Sequence, residues 1–308
     1  LAALVVCRCL QGAAMAALVV CARASVRDLY TPVEGAKALS RGLTGLGIFA
    51  LSAPLVGALV VAQFSWHAAF VALGVFGMAV FAWVWFFFGE SLPPRTPVPD
   101  ADAEVSATRA VLGDARFRAW TAVLAASYST LFCFLLSSGF VYIKVFGFSP
   151  LGCGLVLAGN SLSYIAGTYW CRHLLKQRTP DRAVSVSSRF SIAGGLLMLA
   201  VALVAGAPQA WAMIAGQYLI AIGHGVNQPC GQAGSVAGFP QHAGRAAAIS
   251  GFLMMLAAFI VGQAIAPFLG VSAWPLVLTN ATGGTLIALS AWVLVRRAHA
   301  PATSARAT

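Results

Sequence analysis

Arg8 stands in Cys7-Arg-Cys-Leu-Gln11-Gly12, with several apolar residues on either side. A guanidinium keeps its proton at any physiological pH. Placing one at membrane depth costs at least a few kcal/mol unless carbonyls, a carboxylate or water receive it. Gln11 and Gly12 follow at i+3 and i+4, so a helix puts all three on one face. Two roles are open to Arg8. It can line a path for substrate or protons, or it can be a structural arginine snorkelling to a nearby membrane surface.

His224 is the second candidate. It lies in Gln217-Tyr-Leu-Ile-Ala-Ile-Gly-His224-Gly-Val-Asn227-Gln228-Pro229. Helical spacing sets Gln217, Ala221, His224, Gln228 and Gly231 in one stripe, and Pro229 weakens the backbone bonding beside it. A polar stripe on an apolar helix should face a cavity or a neighbouring helix. An unperturbed imidazole titrates near neutral pH, so His224 can accept a coupled proton; it can equally be a neutral partner to another helix. The eight acids (Asp28, Glu34, Glu90, Asp100, Asp102, Glu104, Asp114, Asp181) all lie outside the apolar stretches. That leaves His224 as the deep proton-carrying candidate.

Other groups are candidates for contact with a substrate: Ser127, Tyr128, Asn160, Gln217, Asn227 and Gln228. Each can instead serve as an interhelical hydrogen bond. With Phe132, Phe134 and Phe140 they suit an amphipathic, aromatic pocket. Gln263 and Asn280 are isolated in apolar runs. Gly42, Gly45 and Gly47 precede Pro54 and Gly57, a stretch able both to pack closely and to bend. The five histidines are scattered, and no carboxylate lies near the deep one, so an enzyme is not expected. Cys7 and Cys9 are too close for a zinc pair. The seven cysteines read as packing residues without a structural disulfide, and no metal or cofactor is expected.

The elements that must hold these residues follow from composition. Of 308 residues, 60% are hydrophobic and 9% charged, and the net charge is +11. Soluble domains carry charge on about a quarter of their residues, so a water-soluble fold is excluded. An all-α polytopic membrane bundle remains. About nine stretches reach the roughly twenty residues that a bilayer requires of a helix. They run near 1–22, 43–63, 66–88, 120–142, 151–170, 190–206, 209–230, 246–269 and 274–295. Turns are expected at Phe146-Gly-Phe-Ser-Pro150 and Gly206-Ala-Pro-Gln209.

Basic residues mark every alternate connection, while the opposite face has only Lys144. The positive-inside rule makes the basic side cytoplasmic, including a tail with Arg296, Arg297 and Arg306. The +11 is therefore a topology signal, helped by contact with anionic lipid, and nucleic-acid binding is not expected. The prolines Pro93, Pro94, Pro97 and Pro99 open an extended linker, with a short surface helix expected near Ala103–Asp114. The expected domains are a partial N-terminal bundle at 1–88, a cytoplasmic linker at 89–118, a six-helix bundle at 119–296 and a tail at 297–308. No secretory leader is evident, and a chain opening on Leu1 within an apolar run is expected to lack its true beginning.

A weak internal echo pairs Ser25-Val26 with Ser235-Val236, Leu39-Ser40 with Ile249-Ser250, and Trp66 with Trp274. Parallel repeats are a common way of building transporters. If the first three stretches echo the last three, the middle three lack partners and three helices are expected ahead of Leu1.

Arg8-x-x-Gln11-Gly12 resembles the fourth-helix signature of the major facilitator superfamily. Arg23-Ala-Ser-Val-Arg27-Asp28-Leu-Tyr30 resembles the bicyclomycin and chloramphenicol resistance branch, whose members are drug:proton antiporters. Ala53-Pro-Leu-Val-Gly57 occupies the place of the antiporter motif, and Trp66-His-Ala-Ala-Phe70, Glu90-Ser-Leu-Pro93 and Phe146-Gly-Phe-Ser-Pro150 follow the branch pattern. Three departures stand out. Ala58 follows Gly57 where a second glycine is usual, Ala53 replaces a frequent glycine, and Cys171 holds the place of an Asp near the end of the eighth helix. The resemblance implies proton-coupled efflux of a small amphipathic molecule by alternating access from a bacterial-type inner membrane. Arg8, Gln11 and His224 would serve cavity and coupling, and Pro54 and Gly57 bending. The alternatives are an uncoupled sugar or metabolite facilitator and a non-transporting remnant; the sequence leaves the oligomeric state open.

Overall fold

The computed structural model describes residues 2–29, 42, 44–49, 51–53, 56–57, 60, 63–89, 101–239, 241–269 and 271–299. It divides into two compact units, Leu1–Val98 and Pro99–Thr308. Regular structure among the described residues is entirely helical.

In the first unit, α1 (Ala2–Leu29) is a continuous helix of 28 residues. It overruns the expected end near Ala22, so Arg23 and Arg27 lie on its last turns rather than in a loop. The described residues of 44–53 are helical. Ser65 then caps α2 (Trp66–Phe87), its hydroxyl accepting from the Ala68 amide at 3.3 Å. Phe81, Trp83, Trp85, Phe86 and Phe87 are all exposed on α2, as a helix solvated by lipid requires.

The second unit begins with α3 (Ala101–Gly113), α4 (Ala115–Ser138) and a π-helical continuation, Gly139–Val145. It continues with α5 (Pro150–Leu174), α6 (Pro180–Val204), α7 (Ala210–Val236) and α8 (Ala243–Ile265). A 3-10 turn (Ala266–Phe268) follows, then α9 (Trp274–Leu289), a π-helical stretch (Ser290–Val295) and α10 (Arg296–His299). The short helix expected near Ala103–Asp114 is present, but it is not a free surface element. Val111 is fully buried with Phe117 of α4 and Ala246 of α8.

Both expected turns form. Gly147 and Gly206 each have φ of 72°, a left-handed conformation that glycine adopts without a Cβ penalty. After Gly147, the Ser149 hydroxyl accepts from the Gly152 amide at 3.0 Å, and Pro150 takes the first helical position of α5. Asp114 caps α4 in the same way, accepting from the Phe117 amide at 2.7 Å.

Several basic residues expected in loops belong to helices. Arg116 and Arg118 open α4, Arg172 lies in the last turn of α5, and Arg182 and Arg189 are on α6, which begins at Pro180 rather than Phe190. A membrane helix continues past the hydrocarbon into the headgroup region, where charged side chains are solvated. Five described stretches are long and apolar enough to cross a bilayer: His67–Phe87, Ala115–Val145, Pro180–Val204, Ala243–Phe268 and Trp274–Ala298. α5 and α7 are as long, at 25 and 27 residues, but polar side chains dilute their apolar character.

The second unit is layered along its helices. One apolar cluster gathers Phe134, Tyr142, Val156, Met198, Met213 and Leu276. Another gathers Trp120, Cys171, Val184, Val226, Cys230 and Val295. On the helices that contribute to it, the second cluster lies toward the basic end. There the Arg116 guanidinium donates to the Ala298 carbonyl at 2.8 Å, closing the C-terminal end of α10. Lys144 stands at the other end, over the Phe140 ring at 5.2 Å.

Candidate functional site

Between the two apolar clusters runs a polar middle layer, built on α7. Its helix approaches its neighbours closely because glycine stands at the crossings. A Cβ on Gly216 would run into the Gly194 carbonyl of α6, and one on Gly225 into the Tyr164 carbonyl of α5. Close approach brings short polar side chains within bonding distance.

The stripe expected on α7 is intact, and it faces into the unit. Gln217, Ala221, His224, Gln228 and Gly231 are all buried. His224 Nδ1 and the Ser127 hydroxyl of α4 share a hydrogen bond of 2.8 Å. The Tyr164 ring of α5 lies 5.6 Å from the imidazole, centroid to centroid, so three helices meet at His224. One turn toward the basic end, the Ser187 hydroxyl of α6 donates to Asn227 Oδ1 at 2.7 Å. The Gln228 amide donates to Met254 Sδ of α8 at 3.7 Å, and its Oε1 is buried without a partner.

A second group lies about two turns away. The Gln217 amide donates to Asn160 Oδ1 of α5 at 3.1 Å, and the Asn280 amide of α9 donates to Gln217 Oε1 at 3.2 Å. Asn280 Oδ1 has no partner although the residue is fully buried. Three carboxamides on three helices thus form a chain with one open acceptor at its end.

Tyr128 behaves differently. It is half-buried and stacks on Phe132 of its own helix, with ring centroids 6.4 Å apart. In the first unit, Arg8 Nη1 donates to Gln11 Oε1 at 2.9 Å, and the guanidinium lies 5.9 Å from the centroid of the Phe70 ring on α2. Arg8 and Gln11 are both exposed, and their bond sets them on one face of α1, as the spacing predicts. Gly57 is helical and half-buried, while Pro54 lies outside the described residues.

Sequence reasoning missed Ser187 and Ser191, and it left Asn280 isolated. Ser187 falls before the apolar stretch expected from residue 190, and Ser191, which accepts from the Asn227 amide at 3.5 Å, falls just inside it. Their spacing of four, with Ser188 beside them, was the available signal for a polar helix face. Among the described residues no group of three His, Cys, Asp or Glu side chains could hold a metal ion.

Residues 1–189 match the Major Facilitator Superfamily, which is well over half of the chain. The chain belongs to the Major Facilitator Superfamily. It is therefore an integral membrane protein of a transporter family rather than an enzyme. Among its relatives in that superfamily is an uncharacterized MFS-type transporter, YdgK, of Bacillus subtilis. It is 24% identical over 87% of this chain and 66% of its own length. The bicyclomycin resistance protein homolog of Haemophilus influenzae is 23% identical over 94% of this chain and 73% of its own. The chloramphenicol resistance protein of Pseudomonas aeruginosa is 25% identical over 91% and 66%. The chain thus spans about two thirds of the length of two of these superfamily relatives.

Proposed function

We propose that this chain carries the transport machinery of a proton-coupled exporter of small amphipathic molecules, working by alternating access in a bacterial-type inner membrane. In this reading the basic ends and the C-terminus face the cytoplasm. Residues 1–88 are the fourth to sixth family helices, and 119–296 are the C-terminal six-helix bundle. The observation that carries the reading is Arg8. It is a permanent charge on an apolar helix, exposed, and bonded to Gln11 within the segment that resembles the superfamily's fourth-helix signature.

Each residue has a part in it. Arg8 sets the electrostatics of the path, and Gln11 orients the guanidinium while contacting water or substrate. The half-buried Tyr128 offers an aromatic face to an amphipathic molecule. Asn160, Gln217, Asn227 and Gln228 belong to the bonded layer, so they contact substrate only when that layer rearranges. His224 carries the coupled proton, and the Ser127 hydroxyl receives or donates to its ring as the proton arrives and leaves. Pro54 and Gly57 allow the bending that turns the cavity.

The test uses the native gene product in proteoliposomes holding a pH-sensitive dye. Addition of an amphipathic drug is expected to change internal pH, and Arg8→Gln to abolish the change. The absence of any carboxylate from the apolar stretches supports a second reading, an uncoupled facilitator. That reading is supported if labelled substrate equilibrates across the membrane without any change in pH.

A further inference from the structure

Helices α8 and α9 both pack on α4 but barely touch each other, and a groove of about 270 Å³ lies among the three. Small side chains leave it open: Ala122, Ala125 and Ala126 of α4, Ala257 of α8 and Gly283 of α9 all line it. Close-packed proteins keep few voids larger than a water molecule. An apolar cavity of about 150 Å³ already binds benzene, and this one is larger. Leu286 and Thr282 line the groove and are exposed, and Phe259 and Ile260 are exposed on the same stretch of α8 as Ala257. The open side is therefore mainly apolar, and a molecule enters it from hydrocarbon.

One lining group sets the chemistry of the occupant. Hydroxyls within helices ordinarily bond back to a carbonyl of the preceding turn. Two that line the groove do so: Thr130 donates to the Ser127 carbonyl at 2.8 Å, and Thr282 to the Leu278 carbonyl at 2.7 Å. Ser129 also lines the groove and is 6% exposed, yet its hydroxyl is buried without a partner. Burying a hydroxyl in this way is unfavourable until something bonds to it. A lipid acyl chain has no group to offer, whereas a molecule with one hydroxyl does. From Ser129 to Ala122 is seven residues, about 10 Å of helix, and the alanines along it suit a slender apolar body.

We propose that this groove binds a slender apolar molecule with a single terminal hydroxyl, of the chemical class of medium-chain primary alcohols, and that Ser129 bonds that hydroxyl. None of the residues lining the groove belongs to the polar stripe of α7. The proposal is independent of what the protein transports and of how transport is coupled.

The test uses the full chain in lipid nanodiscs and a diazirine analogue of octanol. Illumination should place the label on peptides from 122–130, 257–261 and 279–290, and octanol should compete for it. At equal concentration in the bilayer, octane should compete roughly fivefold less well, the fold-change of one net hydrogen bond. Ser129→Ala removes a hydroxyl that bonds nothing within the fold, so the variant should unfold thermally like the parent. In that variant octanol and octane should compete equally. Ala257→Leu should abolish the labelling by filling the space. Equal competition by octane in the parent would mean an acyl-chain groove only, and overturns the proposal. So does label spread evenly over the exposed apolar faces, labelling that persists in Ala257→Leu, or a preference for octanol that survives Ser129→Ala.

Discussion

Ser127 and His224 are 97 positions apart in the chain and share a hydrogen bond of 2.8 Å between α4 and α7. Neither residue has an appreciable exposed surface, at 0% and 3%. The bond therefore joins two helices inside one unit, and any movement of α7 against α4 has to break it. A double-mutant cycle with Ser127→Ala and His224→Ala should give a coupling of about 0.6 kcal/mol, and at most about 1.7, as interhelical bonds in membranes do. Unfolding in detergent measures it, and strict additivity would show the bond to be energetically idle.

The same pair bears on coupling. His224→Gln keeps a hydrogen-bonding side chain but removes the titratable ring. Drug transport in proteoliposomes should lose its pH dependence in this variant, while binding of drug is retained. An unchanged pH profile would remove His224 from the proton path.

Glycine sets the distance between α6 and α7. Gly216→Val drives a branched Cβ into the Gly194 carbonyl and the Met198 side chain. Overpacking typically costs 1–3 kcal/mol, and backbone yields less readily than side chain, so about 3 kcal/mol is expected. Gly154→Ala on α5 is the control, because a Cβ there meets nothing within 4 Å. It should gain about 0.5–1 kcal/mol through helix propensity. Thermal unfolding of the two variants should move in opposite directions.

The carboxamide chain makes a further prediction. Asn280→Ala removes the donor that satisfies Gln217 Oε1, leaving that acceptor buried without its partner. A loss of about 1–3 kcal/mol follows from desolvation of an unsatisfied group. Asn280→Asp should be worse, because its carboxylate cannot supply the donor and brings charge into the interior. Stability similar to the parent in both variants would mean that water replaces the bond.

At the basic end, Arg116→Ala frees the Ala298 carbonyl. The loss should be about 0.3–1 kcal/mol and confined to the last turns, as the end of a helix dipole loses its cation. Hydrogen exchange should rise at 296–299 and stay unchanged at the middle of α9. A global rise would indicate that the contact organises more than the helix end.

Much of the fold was legible in the chain itself. Sparse charge and long apolar runs force membrane helices, since lipid leaves the backbone no other way to satisfy its polar groups. Gly147 and Gly206 mark turns that only a residue without a Cβ makes easily, and their positions were readable. So was the common face of Arg8 and Gln11, because helical spacing is a local property. The helix ends were misread where Arg182 and Arg189 continue α6, because hydropathy detects the hydrocarbon layer and not the helix.

The partnerships were settled only by packing. Spacing put Gln217, His224 and Gln228 on one stripe, but nothing in it distinguishes a water-filled cavity from the face of another helix. Contacts such as Ser127 with His224, Asn280 with Gln217, and Cys171 with Cys230 join residues far apart in the chain. They depend on which helices the glycine crossings bring together, and that is a sum over many weak contacts. Local pattern fixes the direction in which a side chain leaves its helix, while tertiary structure alone decides what it meets.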